Sequence, residues 1–165
     1  MNRSYLIGID IGTLGSKGVV TDLDGNVLAE DFREHGVIHP KPGWAEHDPE
    51  EHWWKDFVQI SRRIIEKSAI DPKDVAAVGT SSLVSELTPL DEKGRPIRNS
   101  ILYSDNRAVE EIEYVNKVLG TTLTSEEITP KILWMKKHEP RNYEKTRMIV
   151  NAVSYIVWKL TGRFT

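Results

Sequence analysis

The sequence predicts an α/β domain in which a three-stranded antiparallel meander is extended by parallel strands and flanked by helices. Three observations carry this reading. Residues 5–11 and 18–21 are β-branched or apolar runs separated by a glycine-bearing turn, and Asp24-Gly25 then leads into Val27, Leu28 and Ala29, which reads as strand, turn, strand, tight turn, strand. From about Pro49 to Ser68 apolar residues recur at helical spacing. A short buried-strand pattern follows at Val75, Ala76, Ala77, Val78 and Gly79, so the intervening helix supplies the crossover that parallel pairing requires.

The helix start has its own chemistry. Asp48, Pro49 and Glu51 occupy the N-cap, N1 and N3 positions, where a side-chain acceptor, a residue lacking an N–H and a carboxylate each suit the free amides of a first turn. Trp53, Phe57, Ile60 and Ile64 form one stripe, and Trp54, Val58 and Ile65 widen it, so the tryptophan pair is read as core. Further strands are expected at residues 75–81, 87–90, 101–103 and 148–150. Helices are expected at residues 107–119, 130–138 and 152–161, the last stopped by Gly162.

A chain of 165 residues, 39% hydrophobic and 28% charged, can bury one real core. The net charge of −3 supplies no basic field, so nucleic acid is not an expected partner. With no cysteine there is no disulfide framework or thiolate metal site. Arg3 before Tyr5-Leu6-Ile7 mimics a leader, but Asp10 interrupts the apolar run, and Asn151 and Ser154 break the late apolar stretch. A cytoplasmic, membrane-free protein is the expectation. His47, His52 and His138 lack metal-ligand spacing and are read as surface groups or supports behind a site.

Residues 10–17 (Asp10-Ile11-Gly12-Thr13-Leu14-Gly15-Ser16-Lys17) carry the most chemistry. A carboxylate ends a strand, a turn with two glycines and two hydroxyls follows, and a lysine closes it. Gly12 and Gly15 let backbone N–H groups approach phosphate oxygens, Thr13 and Ser16 offer hydroxyl donors, and Lys17 offers a compact positive charge. Asp10 is the candidate ligand for Mg²⁺, through water, because that ion gives up its hydration shell reluctantly. The same residues also admit a plain β-turn with Asp10 capping local amides. Lying between two strands, the motif is neither a Walker loop nor a dinucleotide fingerprint, both of which need a following helix.

A strand–turn–strand phosphate loop resembles that of the actin-like ATPase and sugar kinase superfamily, whose fold is RNase H-like. Further segments are similar to the FGGY carbohydrate kinases, its xylulose-kinase-like members above all. They are Gly43-Trp44-Ala45-Glu46-His47-Asp48-Pro49 with Trp53-Trp54, Pro89-Leu90-Asp91-Glu92-Lys93-Gly94-Arg95-Pro96-Ile97, and Ile101-Leu102-Tyr103-Ser104-Asp105-Asn106-Arg107. Thr129-Pro130-Lys131-Ile132-Leu133-Trp134, His138-Glu139-Pro140 and Leu160-Thr161-Gly162 follow in the same order.

The resemblance implies phosphoryl transfer from ATP, with Mg²⁺, to a hydroxyl of a ketose or polyol, in a cleft between two large domains. It makes residues 1–165 the first part of the first domain and leaves a homodimer open. The family's aspartate base lies beyond the leucine-threonine-glycine segment, so these residues alone are expected to be inactive. By position, Asp10, Thr13 and Lys17 match the family's phosphate loop. Val84 and Ser85 stand where relatives have sugar-contacting polar side chains, which puts xylulose and glycerol specificity in doubt. Glu86 is read first as a solvated strand-end residue and second as a replacement contact. Tyr103 reads equally as a sugar platform or as packing, and Asp105 with Arg107 equally as pocket organisers or as a helix cap with a local ion pair. A stand-alone nucleotide- or sugar-binding module and an actin-like ATPase are the competing functions.

Overall fold

In a computed structural model, residues 4–164 are described; Arg3, which begins the leader-like run, and Thr165 lie outside the described residues. β1 (Tyr5–Ile11), β2 (Gly15–Asp22) and β3 (Val27–Glu34) form the antiparallel meander. The Asp22 carboxylate holds its second turn, accepting from the backbone N–H groups of Asp24 and Asn26 at 3.0 and 2.9 Å, while Gly25 takes a φ of +87° that L side chains disfavour.

After a loop and the two-residue β4 (Glu46–His47), Asp48 caps the helix as expected, accepting from the N–H groups of Glu50 and Glu51. The first six residues, Pro49–Trp54, wind as a π-helix before α1 (Lys55–Ser68), a departure that apolar spacing alone does not reveal. α1 ends at Ala69 in the left-handed region and the chain returns as β5 (Val75–Ser82), which pairs parallel to β1. Sheet order is β3-β2-β1-β5.

Ile7, Ile9, Ile11 and Val20 point to one face and bury against Trp53, Phe57, Ile60 and Ile64, so the predicted stripe is the core. The other face, where Leu6, Asp10, Lys17 and Phe32 lie, remains open among the described residues.

A single strand extends the meander in parallel, fewer than expected. Ser85, a non-glycine residue at φ +64°, turns the chain away from the line of β5. The next segments form separate two-stranded pairs: β6 (Thr88–Leu90) with β8 (Met148–Val150), and β7 (Ser100–Ile101) with β4. Leu87, Leu90, Ile101 and Leu102 are fully buried, leaving no solvent face to alternate with. Leu87 and Ile101 join Ala108, at the start of α2 (Val109–Leu119), and Trp134 and Met135 of α3 (Ile128–His138) in a second core. The short α4 (Pro140–Lys145) was not legible in the pattern, whereas α5 (Ala152–Thr161) starts at an Asn151 cap and stops at Gly162, at φ +68°. No helix among the described residues is long and apolar enough to cross a membrane.

Candidate functional site

The turn between β1 and β2 is closed by Gly12 N–H donating to the Gly15 carbonyl at 3.0 Å. A Cβ on Gly12 would stand 2.7 Å from that carbonyl oxygen, and one on Gly15 would meet Phe32 and the Arg33 carbonyl at 2.5 and 2.6 Å, so close packing requires both glycines. Asp10 pairs with Lys17 across β1 and β2 and with Ser81 across β1 and β5, so the three share the open face. Ser81 donates its hydroxyl to Asp10 Oδ1 at 2.6 Å, and these residues line a shallow cavity of about 310 Å³.

Asp10 fits a hydrated Mg²⁺. Its carboxylate is exposed and fixed through one oxygen, and no group of three His, Asp or Glu side chains suited to holding a metal occurs among the described residues, so water and phosphate must complete any coordination. Ser16 corrects the expected pair of hydroxyl donors. Strand alternation turns it to the covered face, where it is fully buried and its Oγ has no hydrogen-bond partner among the described residues.

Behind the turn lie three imidazoles. His35 Nε2 stands 3.0 Å from the Gly12 carbonyl and His47 Nε2 3.1 Å from the Thr13 carbonyl, with ring centroids 5.0 Å apart. His52 stacks on His35 at 5.1 Å. His35 Nδ1 meets the buried Asp56 carboxylate at 2.8 Å, and His47 Nδ1 accepts from the Trp53 indole at 3.0 Å. Burial and the neighbouring histidines push His47 down to about 3, so it is neutral. His47 is therefore a buried support and not a surface group. His35, which carried no signal in the sequence, is its partner.

A second cavity of about 400 Å³ is lined by Thr13, Leu83, Val84, Ser85, Tyr103 and Glu126. It brings one residue of the β1–β2 turn together with Val84, Ser85 and Tyr103. Glu126, at the start of the segment leading into α3, belongs to it and was missed.

Asp105 and Arg107 are not in that cavity. Their side chains are fully buried, with Asp105 accepting from Arg107 at 2.8 Å and from Ala45 N–H at 2.6 Å. Arg107 also pairs with Glu46 at 2.7 Å and stacks on Trp44, 3.8 Å from the ring centroid. This clamp fastens the loop before β4 to the segment after β7. The ion pair exists as expected, but the helix cap does not, because the N-cap of α2 is Ala108, which supplies no side-chain hydrogen bond.

Glu86 is likewise not solvated. It is fully buried, its Oε1 accepts from Ala152 N–H at the start of α5, and burial raises it to about 7. Lys131, from the tryptophan-bearing segment, is buried beside it. Its ammonium faces the carbonyls of Ser85 and Tyr103 at 3.4 and 3.5 Å, joining two segments that line the cavity, and desolvation lowers it to about 8.

Residues 5–165 match the family model described as the FGGY family of carbohydrate kinases, N-terminal domain. The chain belongs to the FGGY family of carbohydrate kinases. A xylulose kinase of Staphylococcus xylosus is 33% identical over 96% of this chain, and glycerol kinase 2 of Thermotoga maritima is 28% identical over 96%. The crystal structure of xylulose kinase from Rhodospirillum rubrum superposes with a TM-score of 0.90 at 25% identity over 98% of this chain. This FGGY chain spans about a third of the length of these relatives: 34% of each kinase sequence and 35% of the solved chain.

Proposed function

We propose that this chain is the N-terminal part of the first domain of an ATP-dependent sugar kinase that phosphorylates a hydroxyl of a ketose or polyol, a xylulose-like ketose first. One observation carries the reading: Thr13 of the phosphate turn shares a cavity with Val84, Ser85 and Tyr103. That juxtaposition brings a phosphate donor and a sugar hydroxyl within reach of each other.

In this reading the amides of the turn, Thr13 and Lys17 bind the phosphates of ATP, and Asp10 holds hydrated Mg²⁺. The ion supplies charge neutralisation on the phosphate oxygens. Ser85 and Glu126 offer hydrogen bonds to sugar hydroxyls, and the Tyr103 ring offers an apolar face. Proton removal from the attacking hydroxyl needs a base that these residues do not supply. Asp105, the aspartate nearest the sugar segments in sequence, has both oxygens bonded to Arg107 and Ala45 and is buried. In this reading the 165 residues alone bind without turnover.

A coupled ADP-release assay on the intact protein, run over a panel of ketoses and alditols, tests the proposal. Saturable release that depends on one class of sugar supports it. ATP turnover indifferent to every sugar would point instead to an ATPase, and binding without turnover to a binding module.

A further inference from the structure

The support behind the phosphate turn does more than fill space. Three successive carbonyls of the turn are held from one side: Gly12 by His35 Nε2, Thr13 by His47 Nε2, and Leu14 by the backbone N–H of His35 at 3.0 Å. All peptide bonds among the described residues are trans. In a trans peptide the N–H of one residue points opposite to the carbonyl of the residue before it. Holding the Gly12 carbonyl inward therefore aims the Thr13 N–H outward, and holding the Thr13 carbonyl inward does the same for Leu14. Neither of those two amides has a hydrogen-bond partner among the described residues.

We infer that His35 and His47 are positioning residues for the phosphate turn, fixing two peptide planes from behind so that the Thr13 and Leu14 amides face an incoming phosphate. The inference rests on the kinase reading of residues 10–17.

The hydrogen-bond inventory sets each ring's role. An indole N–H only donates, so His47 Nδ1 must be the acceptor and its proton sits on Nε2, directed at Thr13. His35 is flanked by two acceptors, the Asp56 carboxylate and the Gly12 carbonyl, and makes both bonds only as a doubly protonated ring. Asp56 matches that charge and is itself held by Arg33 at 2.9 Å. The supports come from separate parts of the chain: His35 just after β3, His47 in β4, Trp53 in the π-helical turn and Asp56 in α1. Gly12 lacks a side chain to restrain its backbone, and its carbonyl has no second hydrogen-bond partner among the described residues. A flipped plane would present a carbonyl oxygen to phosphate in place of an N–H, replacing attraction with repulsion.

The test uses the intact protein and two readouts: the Kd for ADP by titration calorimetry, and the KM for the best sugar. His47→Leu and His35→Leu remove the donors at similar bulk and are expected to weaken ADP about tenfold each, the loss of one aligned amide–phosphate hydrogen bond. The sugar KM is expected to stay within about twofold, because the Ser85 and Tyr103 segments are held by Lys131 instead. His47→Gln, which can restore an N–H near the Nε2 position, should recover most of the affinity. If the leucine variants fail to fold, Trp53→Phe, which keeps an aromatic ring but drops the tautomer-fixing donor, should weaken ADP about threefold. Unchanged ADP affinity in folded His47→Leu and His35→Leu, or equal losses toward ADP and sugar, overturns the inference. Lys17→Ala serves as the separate control: if it leaves ADP binding intact, the phosphate-turn reading itself fails, whereas a loss there with unaffected histidine variants removes only the positioning role.

Discussion

The two sides of the candidate site are built differently. On the phosphate side, the turn at residues 12–15 offers backbone groups, and buried histidines with complete hydrogen bonds hold it from behind. On the sugar side, Ser85 and Tyr103 offer side chains, and buried charges hold the segments that carry them: Lys131 beneath, Glu86 at the start of α5, and the Asp105–Arg107–Glu46 clamp alongside. Ligand recognition by backbone takes its shape from local sequence, because glycines and strand ends set it, and only its support from elsewhere in the chain. Recognition by side chains on charge-fastened segments depends on residues far away in the chain.

The largest expected effect breaks the sugar-side frame. Asp105→Ala strips the buried Arg107 of a carboxylate partner, and removing one member of a buried pair costs about 3–5 kcal/mol. A thermal melt should show that loss directly. A folded variant with only a raised sugar KM would return Asp105 to the pocket, one of the two roles the sequence left open. On the phosphate side, Asp10→Ala in the intact protein should lower kcat by ~10²–10³-fold, the range for losing one preorganised electrostatic contact, with little change in sugar KM. Near-normal kcat in steady-state kinetics would remove Asp10 from the phosphate chemistry.

Proton linkage separates the two sides by sign. His47 has a folded value of about 3, below its ordinary 6.5, so its contribution to stability is present above 6.5 and is lost as pH falls toward 3. Glu86 has a folded value of about 7, above its ordinary 4.5, so its contribution is present below 4.5 and is lost as pH rises through 7. His47→Gln should flatten the acid limb of a stability–pH profile, and Glu86→Gln the limb near neutrality, each by about 1–3 kcal/mol. Unfolding in denaturant at a series of pH values measures both; identical limbs in variant and parent would contradict the assignment. The smallest effect is Ser85→Ala, expected to raise sugar KM about five- to tenfold through one lost hydrogen bond, with the ADP Kd unchanged.

The same contrast explains what the sequence disclosed. The meander, the Asp48 cap, the α1 stripe and the parallel return of β5 are all local patterns, and each is present. Ser16 could have been excluded as an outward donor by carrying strand alternation through Gly15, since Lys17 on one face puts Ser16 on the other. Glu86 was harder, because a charged residue in a polar-looking stretch reads as solvated unless its partners are known, and Asp105 with Arg107 left a pocket role and a local ion pair equally open for the same reason. Those partners, Trp44, Glu46 and the first amide of α5, lie 61 or more positions away. His35 lay outside every recognisable motif, and only the fold brings it under Gly12.

The open flank of the main sheet has a practical consequence. β5 sits at one margin of the sheet with its outer backbone groups unpaired among the described residues, Val78 there is 47% exposed, and Leu6 and Phe32 lie uncovered on the face that bears Asp10. An edge strand of this kind is a template for pairing with another chain. Handled alone at high concentration, these 165 residues should therefore form β-rich aggregates, and a Val78→Lys substitution, placing a charge on the margin strand away from Asp10, should keep them in solution.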